Sequence, residues 1–415
     1  MKHRFRPANP ANLDRRTFLR LAASTAGVGF WPLLGRTADA TPTLTPPLAD
    51  LPQPQFARFP EKTDLILHTD RPPNLETPLK YFREDLTPNE AFFVRWHLGI
   101  VPVSVDAKSF RLEIKGHVGQ ALALTLDELR NDFDPVSLIA VNQCSGNSRA
   151  LFEPRVLGGQ WGNGAIGNAK WTGVRLSDIL KRANPKAGAA EVSFTGLDRA
   201  PLPSVPLFTK SLSVNHANDG EVMVAYEMNG QPLPMLNGYP LRLIVPGWFA
   251  TYWVKSLNEI AVLDKPFDGF WMAKAYRIPN NPAAQELPTD LAKETVPINR
   301  MPVRSLFVSP EPAERLPVGQ PHEVNGLAFD AGKGIQKVEV SPDAGKSWSP
   351  ATLDPDLGRY SWRRWRFRWT PATSGPATLM ARATNASGEA QTSQQWNRSG
   401  YARNVIESVS VTIAS

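Results

Sequence analysis

The sequence predicts an α+β protein: a mixed α/β domain followed by an all-β, immunoglobulin-like sandwich. Three observations carry this. The chain has 415 residues, too many for one ordinary domain. Its 39 prolines disfavour long helices and favour short strands and loops. Short strand and helix patterns mix up to about residue 290, and only strand patterns follow residue 297.

Residues 1–40 read as an address rather than as fold. Asp14-Arg15-Arg16-Thr17-Phe18-Leu19 precedes a modest apolar stretch and then Ala38-Asp39-Ala40, an A-x-A cleavage pattern. The paired arginines resemble a twin-arginine export signal, so a periplasmic protein is expected. Seven basic residues stand against two acidic ones here, a net +5. The total is +7, so the rest of the chain is near neutral and lacks the charge of a nucleic-acid binder.

Residues 41–80 are Pro-rich and predict an extended, irregular lead-in. Residues 81–290 form the expected α/β domain. Within it, Phe110–Gly116 alternates as a half-buried strand. Thr125 and Glu128 make a capping-box start, and Ser177-Asp178 opens a second short helix. Leu138–Val141, Val192–Phe194 and Leu241–Val245 read as strands. In residues 297–415, Val338–Ser341, Trp365–Trp369 and Leu379–Ala383 are strands separated by turns, as in a sandwich. Arg364, Arg366 and Arg368 alternate with the aromatics and predict a solvated strand face, with a partner surface as the sharper reading.

The single cysteine excludes an intramolecular disulfide framework, an iron–sulfur cluster and a C-x-x-C-H haem. No run of about 18 apolar residues predicts a retained membrane span. The six histidines form no zinc pattern, and no G-x-S-x-G elbow, P-loop or G-x-G-x-x-G occurs. Cys144 ends an apolar strand and enters Ser145-Gly146-Asn147-Ser148-Arg149, turn chemistry with a nearby cation. A nucleophile, a soft metal ligand and an inert buried thiol all remain open on this segment alone. A metal site with one cysteine needs its other ligands from a cofactor, such as a dithiolene pterin on molybdenum.

Six segments together are similar to the sulfite oxidase family of molybdenum enzymes: Phe92–His97, Gln143–Arg149, Trp161–Gly167, Ala225–Gly230, Asn237–Arg242 and Trp253–Lys255. The likeness extends through the sandwich, which resembles the family's dimerisation domain, and the molybdenum subunits of bacterial periplasmic sulfite dehydrogenases match best. The resemblance implies a molybdenum–molybdopterin cofactor with Cys144 as the protein's thiolate on the metal. It implies Tyr276, Arg95 and His97 as catalytic residues, and Arg149, Trp161 and Arg95 around the substrate. It implies Phe93, Val94, Arg95, His97, Cys144, Asp198, Asn237, Arg242, Trp253, Val254 and Lys255 around the cofactor. Vertebrate members have His where this chain has Asn237. A distal arginine of those members falls at Ser408 here, with Arg403 nearby as a substitute.

The reaction so implied is oxygen-atom transfer converting sulfite to sulfate. Electrons pass to a separate c-type cytochrome, in a homodimer or a heterodimer with that cytochrome. Rival readings are a molybdoenzyme acting on protein-bound sulfur, a sulfoxide or nitrate reductase, and a non-enzymatic periplasmic binding protein.

Overall fold

The computed structural model describes residues 55–393 and 395–415. The export-signal reading of residues 1–40 lies outside these residues. Three larger sheets, with a two-stranded one at the domain boundary, build the first domain. The segment expected to be irregular is instead a four-stranded antiparallel sheet in chain order: Phe56–Ala57, Leu65–Asp70, Pro73–Glu76 and Val94–Arg95. Its prolines do not forbid this. Pro72 lies in the turn and Pro73 is the first residue of its strand, where no ladder N–H is required. Leu65, Leu75, Val94 and Trp96 form a small core beneath the sheet.

A second sheet runs Thr209–Ser213, Glu191–Gly196, Leu257–Leu263, Leu112–Gly116, Leu122–Leu124. Its one parallel pairing joins Leu257–Leu263 to Leu112–Gly116. The third runs Gln231–Pro232, Met223–Met228, Ile166–Arg175, Pro135–Gln143, and Arg242–Ile244 also pairs with Met223–Met228. Thr125 caps the helix Leu126–Asn131 through the expected capping box. The helix Leu176–Ala183 starts one residue earlier than Ser177 implies, with Arg175 at its N-cap. Leu176, Ile179, Leu180 and Ala183 are buried, and this apolar stripe sets where the helix lies against the sheet.

The C-terminal domain is a sandwich. One sheet runs Arg304–Ser309, His322–Phe329, Arg363–Trp369, Thr352–Leu353. The other runs Arg315–Pro317, Glu407–Ala414, Gly375–Asn385, Ile335–Ser341, Ser349–Pro350. Val324, Val338, Val340, Trp365, Leu379 and Ala381 fill the space between them. The alternating arginines lie on the outer face. Arg366 pairs with Asp354 at 2.7 Å and Arg364 with Asp85 at 2.9 Å.

One buried charged cluster ties the domains together. Arg304 Nη2 donates to Ser148 Oγ at 2.6 Å, to Asn163 Oδ1 at 3.2 Å and to Glu407 Oε1 at 2.6 Å. Arg403 Nη1 donates to the same Glu407 oxygen at 2.6 Å. All three ionic groups are buried. Separately, Lys210 is fully buried; its ammonium donates to the Trp271 carbonyl at 2.7 Å and lies 4.5 Å from the Tyr252 ring centroid. Burial pushes its pKa down to about 7.

Two predictions follow from these charges. Glu407→Gln leaves two buried guanidinium groups without their carboxylate and should destabilise the fold by about 3–5 kcal/mol. Calorimetry reads this as a clear drop in Tm, and an unchanged Tm would remove the cluster from the fold's energetics. For Lys210, the folded state releases its proton near pH 7, whereas the unfolded chain keeps it up to the ordinary lysine range. Stability therefore rises with pH between about 7 and 10, by up to about 1.4 kcal/mol per pH unit from this group. Lys210→Met should flatten that rise in denaturant titrations at several pH values. Parallel curves for variant and wild type would contradict it.

Candidate active site

The site forms where the strand Pro135–Gln143 ends. Cys144 N–H donates to the Ala165 carbonyl at 2.9 Å, the last rung before the chain turns. Asn147 N–H then closes the turn on the Cys144 carbonyl at 3.0 Å, and Ser148 adopts a left-handed conformation with φ 67°. Asn147 Oδ1 accepts from Ala165 N–H at 2.9 Å, bracing the turn from the opposite strand. The only cysteine of the sequence is thus 6% exposed, at the head of a rigid turn.

Cys144 opens onto a small cavity of about 20 Å3. Eight of the residues singled out from the sequence line it: Phe93, Arg95, His97, Cys144, Asn237, Arg242, Lys255 and Tyr276. Arg95 and His97 lie two apart on extended chain and reach the same space, as the spacing predicts. Tyr276 has φ 58° and precedes the strand Arg277–Pro279, whose pairing with Thr295–Pro297 anchors it. Ser145, Ala250 and Thr251 also line the cavity and had not been singled out. Ser145 adjoins Cys144 in the same turn, and that adjacency was the available signal. Ala250 and Thr251 sit in a short 3-10 helix that carried no motif.

Six other expected residues lie behind this lining. Val94 belongs to the small core under the first sheet. Trp253 packs edge-on against Trp171 with centroids 5.6 Å apart, and the Val254 carbonyl accepts from Leu243 N–H. Trp161 was expected as a pocket wall. It is instead packed against His68 at 4.4 Å, while its carbonyl holds Ala150 N–H, so it buttresses the Cys144 turn. Asp198 is buried beside Lys255, and burial raises its pKa while Lys255 opposes the rise.

Arg149 is likewise withdrawn from the lining. Its guanidinium donates to the Ser399 carbonyl from Nε (3.3 Å) and Nη2 (3.2 Å), and to the Gly159 carbonyl at 3.2 Å. It lies 4.9 Å from the ring centroid of Tyr401, and Tyr401 stacks nearly parallel on Tyr276 at 5.3 Å. The Ser399–Ala402 loop of the C-terminal domain thus reaches the site, and Ala402 N–H donates to the Ser145 carbonyl at 3.3 Å. Gly400 permits the approach: with φ 59°, an added Cβ would meet Val156 at 2.4 Å and Arg149 at 2.8 Å. Neither candidate for a distal arginine reaches the cavity. Ser408 is in a sandwich strand opposite Met380, and Arg403 is drawn to Glu407, the carboxylate four residues on in a dry setting.

The electrostatics are one-sided. Arg95, Arg242 and Lys255 line the cavity and no carboxylate does. Burial lowers Arg242 to about 9, and burial with Arg242 alongside lowers Lys255 to about 7. Burial first, then Arg95, Lys255 and Lys210, holds His97 well below the usual histidine range, so its ring is neutral at neutral pH. Burial also holds the Tyr276 phenol in its protonated form. Tyr276 Oη and His97 Nε2 are hydrogen-bonded, and the His97 ring stacks on Phe208 at 3.8 Å.

This chemistry fits a particular kind of ligand. Among the described residues no three His, Cys, Asp or Glu groups assemble as a metal site, so a metal here would bring most of its own ligands and take one thiolate. Three basic side chains around a partly enclosed cavity suit a phosphate-bearing group. Ser145 Oγ, Thr251 Oγ1 and Arg242 Nε are buried at the lining without a protein partner, which leaves polar atoms for a polar ligand.

Known proteins agree with this reading of the cavity. Residues 97–271 match the family described as oxidoreductase molybdopterin binding domain, and residues 295–413 the Mo-co oxidoreductase dimerisation domain. The chain is 32% identical to the sulfite oxidase of Gallus gallus over 85% of its own length and 78% of the relative's. It is 33% identical to the mitochondrial sulfite oxidase of Homo sapiens over 76% of its length. It spans only 58% of that human protein and 66% of the Macaca fascicularis one. The sulfane dehydrogenase SoxCD from Paracoccus pantotrophus has the same fold, with a TM-score of 0.72 and 23% identity, covering 92% of this chain and 96% of that one. With both domains matched and the cavity suited to the cofactor, the chain belongs to the sulfite oxidase family of molybdopterin-dependent molybdenum oxidoreductases.

Proposed function

We propose that this chain oxidises sulfite to sulfate and passes the electrons to a separate c-type cytochrome in the periplasm. The observation that carries the reading is the convergence, on one cavity, of the sole thiol, three cations and the Tyr276–His97 pair. When bound, the molybdenum–molybdopterin group would supply oxygen-atom transfer and storage of two electrons. Cys144 would hold the metal, and Arg242 and Lys255, with Ser145 and Thr251, would hold the pterin and its phosphate.

The chain's own residues then do four things. Arg95 attracts an oxyanion into a cavity free of competing carboxylates. The Ser399–Ala402 loop packs onto the Cys144 turn at Ser145, and the low exposure of the surrounding side chains strengthens each charge in the site. Tyr276, protonated and fixed by His97, presents a hydroxyl at the reacting end of the cavity. Arg149, behind Tyr401, adds positive charge to that end. Overall, sulfite and water yield sulfate, two protons and two electrons.

A c-type haem is attached through C-x-x-C-H, which the sequence lacks, so the cytochrome of this reading is a separate chain. The twin-arginine pattern at Arg15-Arg16 supports export and so a periplasmic cytochrome. The dimerisation-domain match supports a dimeric assembly, with itself or with the cytochrome. Family membership removes the non-enzymatic binding-protein reading.

The direct test is sulfite-dependent reduction of ferricyanide by protein of known molybdenum content. Cys144→Ser exchanges a soft thiolate for a hard hydroxyl and should abolish turnover while the protein remains folded. Unchanged turnover would sink the ligand assignment. Arg149→Gln removes a cation that three backbone contacts hold in place and should raise KM for sulfite. Because Arg149 acts across the Tyr401 ring and not by contact, the expected loss in kcat/KM is about 1–2 kcal/mol. A fully molybdenum-loaded variant with wild-type kcat and KM would take Arg149 out of substrate binding.

A further inference from the structure

Lys62 lies outside the residues 97–271 that match the molybdopterin-binding family, in the segment expected to be an irregular lead-in. It follows the first strand, Phe56–Ala57, and is 5% exposed. Its ammonium uses three donors on three acceptors: the Asn89 carbonyl at 2.6 Å, the Phe92 carbonyl at 3.1 Å and Asn237 Oδ1. Asn237 returns the bond across the gap, its Nδ2 donating to the Phe93 carbonyl at 3.0 Å. The Asn237 carbonyl accepts from Arg242 Nη1 at 3.1 Å, and Arg242 Nη2 donates to Asn142 Oδ1 at 3.0 Å.

Phe93, Asn237 and Arg242 line the cavity from two stretches of chain far apart in sequence. Lys62 bonds to both stretches from behind the lining. Without it, the Asn237 amide oxygen and the Phe92 carbonyl lose the donor that the described residues give them, and the two walls keep the side-chain bonds from Asn237 to the Phe93 carbonyl and from Trp96 to the Leu236 carbonyl. Burial, with Arg242 adding to it, pushes its pKa down to about 7 against the pull of Glu61 and Glu90, so its three hydrogen bonds carry the anchoring.

We propose that Lys62 is a positioning residue of the cofactor site: it locks Asn237 and the Phe92–Phe93 backbone into the wall that receives the pterin, and supplies positive charge behind that wall. This rests on the molybdopterin assignment and not on sulfite as substrate. Side chains that orient direct ligands shift affinity on the order of tenfold to a hundredfold. Release of the pterin from a Lys62 variant should therefore speed up on that scale.

The test uses full-length, pterin-loaded protein. Pterin content is read by fluorescence of the oxidised pterin released from purified protein, and retention by repeating this during dialysis. Lys62→Met keeps the side-chain length and removes the donors and the charge. It should lose pterin at least about tenfold faster than wild type, and Lys62→Arg, which restores charge and donors, should recover part of the retention. Melting of each protein made in a host lacking pterin synthesis reports the fold separately. Retention by Lys62→Met equal to wild type overturns the proposal. So does loss that merely follows a lower melting temperature of the pterin-free protein. If Lys62→Met does not fold, Asn237→Ala deletes the acceptor on the cavity side and leaves Lys62 its two carbonyls. It should show the same fast release, and wild-type retention by that variant overturns the proposal. Wild type without pterin sinks the cofactor reading itself, whereas a loaded wild type inactive on sulfite sinks only the substrate reading.

Discussion

The constraint on which the structure turns is the burial of basic groups. Lys62, Arg242 and Lys255 crowd one region and Lys210 lies nearby, with Asp198 as the buried carboxylate beside Lys255. Such groups are expensive to remove from water, and every neighbouring element is arranged to hold them. Lys62 spends its donors on carbonyls and an amide. Arg242 lies 5.2 Å from the Trp171 centroid and 5.9 Å from that of Trp253, and Lys255 lies 4.6 Å from that of Trp96. Aromatic faces thereby replace part of the lost hydration. A phosphate-bearing cofactor is the natural counter-ion for such a basket, so its binding and the stability of the fold are coupled.

The same need for partners explains how the sandwich joins the catalytic domain. Arg304 and Glu407 belong to the sandwich, yet Arg304 donates to Ser148, one residue before Arg149 and four after Cys144. The Ser399–Ala402 loop supplies the carbonyl that holds Arg149 and the ring that stacks on Tyr276. The second domain therefore fixes the back of the active site.

Local rules made much of this legible. Thr125 and Glu128 announced their helix, and the 110–116 and 365–369 alternations announced their strands, because capping and two-residue periodicity are written in adjacent residues. Cys144 was legible as a strand-end thiol, and eight lining residues followed from a family likeness rather than from physics. The lead-in sheet was missed because prolines in turns and at a strand start look, in sequence, like a chain that cannot pair. Lys62, Lys210 and Tyr401 were missed because their roles arise across the fold. Lys62 meets Asn237 over 175 residues, and Arg149 meets Ser399 over 250. Arg149 and Trp161 lie off the cavity lining for a related reason: the motif names the residue, while the packing of Gly400 and His68 decides which way it faces.

Gly400 has a wider consequence for how the chain can be dissected. Because the approach of one small residue lets a sandwich loop seat Arg149 and cover Tyr276 through Tyr401, the catalytic half is not a detachable module. Cutting the chain near residue 290 would bare a guanidinium, an aromatic face and the Ser145 carbonyl together. A minimal enzyme would have to rebuild that roof from other material, and grafting the site onto a different scaffold means carrying a piece of each domain.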